Sequence, residues 1–181
     1  MNWEEGDTFV ADDLSTTEAI RQLFDLYADD VYRIARFTLG CHEDAKDAVQ
    51  EIFLRVVKSY DGFRREANAK TWLLRIARNY LTDIIRKRQT ERNYLKDYQP
   101  PYLGDETNSA EIAIELEQAL LQLKHNYRTV FVLRHVQHLT TDEIANVLGW
   151  SNARVRTTLH RAILQLRSLL DESDTEVGDR R

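Results

Sequence analysis

Along this chain apolar residues return every three or four positions, the rhythm of amphipathic helices that each bury one stripe. Ile20, Leu23, Phe24, Tyr27, Val31, Ile34 and Leu39 trace a first stripe, opened by a Ser15/Glu18 capping box and closed at Gly40. A second helix is expected over about 42–60, with Ala45, Ala48, Val49, Ile52, Phe53, Val56 and Val57 inside and Asp61-Gly62 as its break. A third is expected over 68–92 on Trp72, Leu73, Ile76, Ala77, Tyr80, Leu81, Ile84 and Ile85. Residues 93–108 contain both prolines, Pro100 and Pro101, and no helical period, so they read as a linker. Beyond it, from an Asn108/Glu111 cap, helices are expected at about 110–123, 126–138, 141–149 and 152–170, and a short acidic tail over 172–181 is expected to be disordered. The fold class is therefore all-α: a three-helix domain over 15–92 and a four-helix domain over 109–171, joined by a flexible linker.

The segment 140–161 carries the most specific pattern. Thr140 and Glu143 form a capping box, Ile144, Ala145 and Leu148 supply an apolar face, and Gly149 can take the left-handed turn that ends the helix. Ser151 or Asn152 can cap the next helix, whose inner positions are Val155, Leu159, Ala162 or Ile163, and Leu166. Two short helices about a tight turn make a helix-turn-helix. Arg154, Arg156, Thr157, His160 and Arg161 then face away from the core. Arginine can fork onto guanine O6 and N7 or hold a phosphate, and threonine can meet a thymine methyl, so this face suits a DNA major groove. A merely solvated face is the bland alternative.

The net charge of −5 sits oddly with a DNA binder until the charge is mapped along the chain. Residues 1–30 hold nine acids against Arg21 alone, residues 101–119 hold five acids and no base, and residues 64–92 hold nine bases against three acids. An acidic protein with local basic surfaces adheres little to nucleic acid in general, because the sequence-independent attraction grows with each phosphate neutralised. Cys41 is the only cysteine, which excludes an internal disulfide and fits a reducing compartment. No stretch approaches the ~20 apolar residues of a membrane span, and the acidic N-terminus lacks the regions of a signal peptide, so a cytoplasmic protein is expected.

The first domain interleaves aromatics and bases from Phe63 to Tyr80 and again over 85–88. A polar loop leading into a helix with exposed Arg75, Arg78, Asn79, Arg86 and Lys87 can track a backbone while loop pockets receive unstacked bases. Phe63, Trp72 and Tyr80 are at helical spacing and read first as packing residues. On the second helix, an exposed Asp/Gln/Glu row has no use against phosphates, which repel carboxylates, and so points to a protein partner.

Taken together, the two halves resemble the extracytoplasmic-function sigma factors of bacterial RNA polymerase. The segment 44–55 looks like that family's core-polymerase-binding helix, 71–79 looks like its promoter-melting segment, and the helix-turn-helix lies at the expected C-terminal place. The resemblance implies that core RNA polymerase and promoter DNA are the partners, with an anti-sigma factor as a further one. It places Arg154, Arg156, Thr157, His160 and Arg161 on the minus-35 duplex. It places Phe63, Arg64, Asn68, Lys70, Thr71, Arg75, Arg78, Asn79 and Arg86 on the minus-10 single strand, with Asn79 matching the base-contacting asparagine and the loop 63–71 matching the one that holds a flipped base. Arg65, Glu66, Asn68 and Lys70 depart from a strict family pattern there. Asp44, Asp47, Gln50, Glu51, Phe53 and Arg55 match the polymerase-facing helix, and the acidic linker resembles the segment that enters the polymerase cleft. No added C-terminal domain is expected, so regulation is expected to come from outside.

Two other classes compete. An ordinary helix-turn-helix regulator would bind a duplex operator without polymerase. A metal enzyme is suggested only by His135 and His138 at i, i+3 and by His42-Glu43-Asp44. No carboxylate stands at ligand spacing on the first of these helices, and no phosphate loop or nucleophile motif appears, so no metal, cofactor or catalytic residue is expected.

Overall fold

The computed structural model describes residues 16–60, 68–94 and 111–178. Among them are seven helices and no strand: α1 Thr16–Leu39, α2 His42–Ser59, α3 Ala69–Tyr94, α4 Glu111–Gln122, α5 His125–His135, α6 Thr141–Leu148 and α7 Asn152–Gly178. Ser15, Asp61, Gly62, Asn108 and most of the expected linker lie outside the described residues.

Local chemistry accounts for the helix ends. Gly40 closes α1 at φ +76° with its N–H on the Arg36 carbonyl at 2.9 Å. The Asn68 side chain accepts the Thr71 N–H at 3.3 Å and starts α3. Both halves of the Thr140/Glu143 capping box are present on α6, and Gly149 ends that helix in the left-handed region at φ +66°. Of the two candidate caps for α7, Ser151 accepts the Arg154 N–H at 3.3 Å, while the Asn152 amide donates to Asp142.

Two helix ends differ from expectation. α5 stops at His135 because Val136 and Gln137 both direct their N–H groups to the Val132 carbonyl, and His138, not a glycine, takes the left-handed turn at φ +56°. α7 continues past Asp171 through most of the tail expected to be disordered, since no glycine or proline interrupts the chain before Gly178.

The sequence left the arrangement of the two domains open, and in the structure they pack together. α1, α2 and α3 pack on one another, as do α5, α6 and α7, but α1 also lies against α4 and α5, and α3 against α6. One apolar cluster runs without a break from Leu23 on α1 through Ile52, Leu73 and Leu133 to Val155 on α7. A smaller one joins Ala119, Leu120, Leu123 and Leu166, with Phe37 of α1 packed against both. The expected stripes are otherwise recognisable, except that Phe24 and Val57 are about half exposed on the rim between α1 and α2.

Where the two halves meet, polar groups are buried with incomplete pairing. Arg128 is buried and reaches the Leu121 carbonyl at 3.4 Å, and burial lowers its pKa to about 10. His125 lies 3.4 Å from Thr82 Oγ1 on α3. Its pKa is lowered to about 4 by burial first and then by Arg128, Arg78 and Arg86, so the ring is neutral near pH 7.

The two left-handed glycines should differ in what a methyl group costs. At Gly149 a Cβ would meet nothing within 4 Å, so Gly149→Ala should lose only the left-handed strain, about 1 kcal/mol in urea unfolding. At Gly40 the same atom would meet Leu121 Cδ1 and Cδ2 at 3.0 Å, so Gly40→Ala should cost more, and Leu121→Ala in that background should recover part of the difference.

The depressed His125 pKa fixes a pH window. As pH falls below 6.5 the unfolded chain binds this proton before the folded one does, so stability should decline between about pH 6.5 and 4, by on the order of 2 kcal/mol after discounting for the water that still reaches the ring. His125→Gln should flatten the pH 6.5–5 part of the stability curve, and the His125 ring should titrate near pH 4 by NMR.

Candidate nucleic-acid and protein interfaces

On α7, Val155, Ala162 and Leu166 turn inward, which resolves the choice between Ala162 and Ile163 in favour of the alanine. Their burial leaves Arg154, Arg156, Thr157, His160 and Arg161 exposed on one face. The Arg154 guanidinium stacks on the Trp150 ring at 4.0 Å from its centroid, a cation–π contact that restrains an otherwise mobile arginine. Trp150 and Arg154 line an open groove with Thr157, Arg161 and two α5 residues, Asn126 and Tyr127. Sequence reasoning missed Asn126 and Tyr127, because their nearness to α7 depends on how α5 crosses it.

The expected single-strand face of α3 is only partly open. Phe63 and Arg64 lie outside the described residues. Asn68, Arg75, Asn79 and Arg86 are exposed and Thr71 is half-buried. Lys70 Nζ is 2.8 Å from Asp30 Oδ2, and Arg75 Nη2 donates to the Asn146 carbonyl of α6 at 2.6 Å. Arg78 donates to Asn79 Oδ1 at 3.0 Å, and its pKa is pushed down by burial first and then by Arg86 and Arg154. Trp72 is half-buried, edge-on to Tyr60 at 6.4 Å between ring centroids, in keeping with its packing role.

On α2, Asp47 and Gln50 are exposed and Glu51 is half-buried. Glu51 holds Arg55 at 3.2 Å, and the Arg55 guanidinium covers the Tyr80 ring at 4.5 Å. Burial first, then the Glu51 carboxylate, raises the Tyr80 pKa. Asp44 pairs with Arg88 of α3 at 2.8 Å, which ties the start of this helix to its neighbour. Phe53 does not share the outer face. It is 7% exposed and packs against Phe24 at 4.8 Å between ring centroids. The apolar residue that does stand out beside Asp47 and Gln50 is Leu54, at 53% exposure. Its i+4 and i+7 spacing from those two was the available signal.

Among the described residues no group of three His, Cys, Asp or Glu side chains could hold a metal, and His135 stacks on Phe131 with 4.6 Å between ring centroids. No helix among them is long and apolar enough to cross a membrane.

With this geometry established, the chain can be set beside known proteins. Residues 23–91 match Sigma-70 region 2 and residues 111–166 match Sigma-70, region 4. The chain is 31% identical over 172 residues to the ECF RNA polymerase sigma factor SigX of Bacillus subtilis, covering 90% of this chain and 89% of that protein. It is 32% identical over 164 residues to SigM of Mycobacterium tuberculosis, covering 90% and 83%. The chain belongs to the extracytoplasmic-function sigma factors. Its fold matches CnrH in complex with the cytosolic domain of CnrY at a TM-score of 0.67 and 26% identity, over 86% of this chain and 90% of that one. It also matches the sigma factor RpoE of Bartonella quintana, solved with the anti-sigma factor NepR, at a TM-score of 0.71 and 22% identity, over 85% and 98%. This sigma factor therefore serves RNA polymerase in promoter-specific transcription initiation, and the regulator that works without polymerase is not favoured. The family as a whole consists of initiation factors that are not enzymes.

Proposed function

We propose that this sigma factor reads its promoter with two separate surfaces and docks on core polymerase with a third. The exposed row Arg154, Arg156, Thr157, His160 and Arg161 on the second helix of a fully capped helix-turn-helix carries the reading. That row takes the minus-35 element as duplex in the major groove, with base edges met by Arg156, Thr157 and Arg161 and neighbouring contacts by Arg154 and His160. Asn126 supports it as a polar neighbour across the groove.

The second surface is α3, led by the loop that contains Phe63 and Arg64. Asn68, Lys70, Thr71, Arg75, Arg78, Asn79 and Arg86 take the minus-10 element as a single strand. Strand capture offsets part of the cost of unstacking, a few kcal/mol per flipped base. The third is the α2 row Asp47, Gln50 and Glu51, with Asp44 and Arg55 at its margins. Leu54 supplies the desolvated apolar contact that a protein interface needs near its centre and Phe53 holds the helix from beneath.

No step of this activity needs covalent chemistry, a metal or a cofactor, and it belongs in the cytoplasm, where polymerase is. An anti-sigma factor is a fitting partner: RpoE, alike in fold, is held by the anti-sigma factor NepR, and CnrH is held by the cytosolic domain of CnrY.

Run-off transcription with purified bacterial core polymerase on a promoter library is the deciding experiment. Transcripts that depend on this chain and share paired upstream elements are expected. Tight duplex binding by the chain alone, with no core binding and no transcripts, would instead return the operator-binding regulator. In the same assay Asn79→Ala should slow promoter opening more than initial docking. Arg156→Ala should cost about 1–3 kcal/mol at one base position, whereas uniform weakening over all sequences would mark Arg156 as a phosphate contact.

A further inference from the structure

We propose that Trp150 is a positioning residue for DNA binding: its indole holds the Arg154 guanidinium at the groove between α5 and α7, where Arg154 grips a backbone phosphate and so sets the register in which the rest of the α7 row meets the minus-35 bases. This role depends on α7 meeting duplex DNA, as proposed above.

The turn between α6 and α7 does not itself require a tryptophan. Gly149 takes the left-handed conformation, and the Trp150 N–H bonds to the Ala145 carbonyl at 3.0 Å, a closure after which any apolar side chain can cover the helix end. Trp150 is half-buried against the shared core, and its ring carries the guanidinium of Arg154, four residues on, at 4.0 Å from the centroid. The main chain beneath is fixed as well. Ser151 Oγ accepts the Arg154 N–H at 3.3 Å, the Ser151 carbonyl accepts the Val155 N–H at 3.0 Å, and the Asn152 amide donates to Asp142 of α6. Backbone, ring and guanidinium form one stiff unit, so the arginine has little further freedom to lose on binding.

A guanidinium held over an indole cannot turn freely to follow the plane of a base, which bidentate readout of guanine requires, whereas a phosphate oxygen accepts an N–H from many directions. Arg156, which has no hydrogen bond, ion pair or ring contact among the described residues, keeps the freedom that Arg154 lacks. The groove that Arg154 overlooks, ≈ 440 Å³ in volume, is lined also by Arg161, by Tyr127 and Thr158 with their hydroxyls, and by Asn126. Among the described residues no carboxylate lines it. Donors without a competing acid suit a row of phosphate oxygens. An arginine fixed at the edge of that groove anchors the strand, and Trp150 acts through it without touching DNA.

The test titrates holoenzyme, assembled from core polymerase and the full chain, on a promoter recovered from the run-off library, at several salt concentrations and with each base of the minus-35 element changed in turn. Trp150→Phe and Trp150→Leu, each checked for helical circular dichroism and cooperative melting, should weaken binding by about twofold and about fivefold, because phenylalanine offers a weaker ring face and leucine none. The phenylalanine variant carries the test by itself if the leucine one melts non-cooperatively. In an Arg154→Ala background neither change should have any further effect. Arg154→Ala alone should weaken binding evenly across the base substitutions and reduce the salt slope by about 1. Equal losses from the Trp150 variants with and without Arg154 would make Trp150 a packing residue and overturn the positioning role. A loss of preference at one base position in Arg154→Ala would overturn the phosphate assignment. Indifference of the wild-type holoenzyme to the minus-35 sequence would instead overturn the reading of that element, while the dependence of the Trp150 effect on Arg154 still decides the positioning role.

Discussion

The apolar seam between the two halves governs what each surface of this protein can do. α1 is pressed on by α2, α3, α4 and α5, and Val31, Ile34 and Ala35 on it are almost wholly removed from water. A helix with one partner needs a narrow stripe; a helix with four needs most of its circumference. Separating the halves uncovers part of that surface at about 25 cal/mol per Å², so a few hundred Å² is enough to make the open form a minority species.

Opposing the apolar attraction is a concentration of positive charge. Arg78 feels both Arg86 and Arg154, and the two arginines come from opposite halves of the chain. His125 stays neutral under Arg128, Arg78 and Arg86, and Arg128 is buried with a carbonyl as its partner. Closing the chain therefore brings like charges together while it buries carbon. Among the described residues, Asp83 is the counter-charge felt by Arg78. A seam favoured by burial is thus resisted by repulsion, which incomplete pairing of the buried groups leaves uncompensated.

Local features were the readable ones. The helix-turn-helix could be read almost residue by residue, because the capping box, the left-handed glycine and the serine cap each depend on side chains within a few positions of one another. Helix existence followed from the apolar period, and the outward row of α7 followed from the inward one. The misses were long-range. Phe53 and Leu54 are adjacent and both apolar, and which of them is buried depends on the position of Phe24, some thirty residues away. The Lys70–Asp30 pair joins two helices, and Arg75, exposed as expected, also donates to a backbone carbonyl, an acceptor that no sequence pattern marks. The linker read as flexible from its composition, but composition is silent on whether the halves it joins attract each other.

The charge balance connects these levels. Each phosphate neutralised adds roughly 0.9 to the slope of binding against salt, so every cation left free on α3 and α7 increases attraction to any DNA, promoter or not. An overall charge of −5 reduces that attraction across the whole molecule, whereas pairing Lys70 with Asp30 reduces it at one point; Arg75, exposed and bonded to a neutral carbonyl, keeps its charge. Both act against indiscriminate binding, the first over the whole surface and the second at a single side chain.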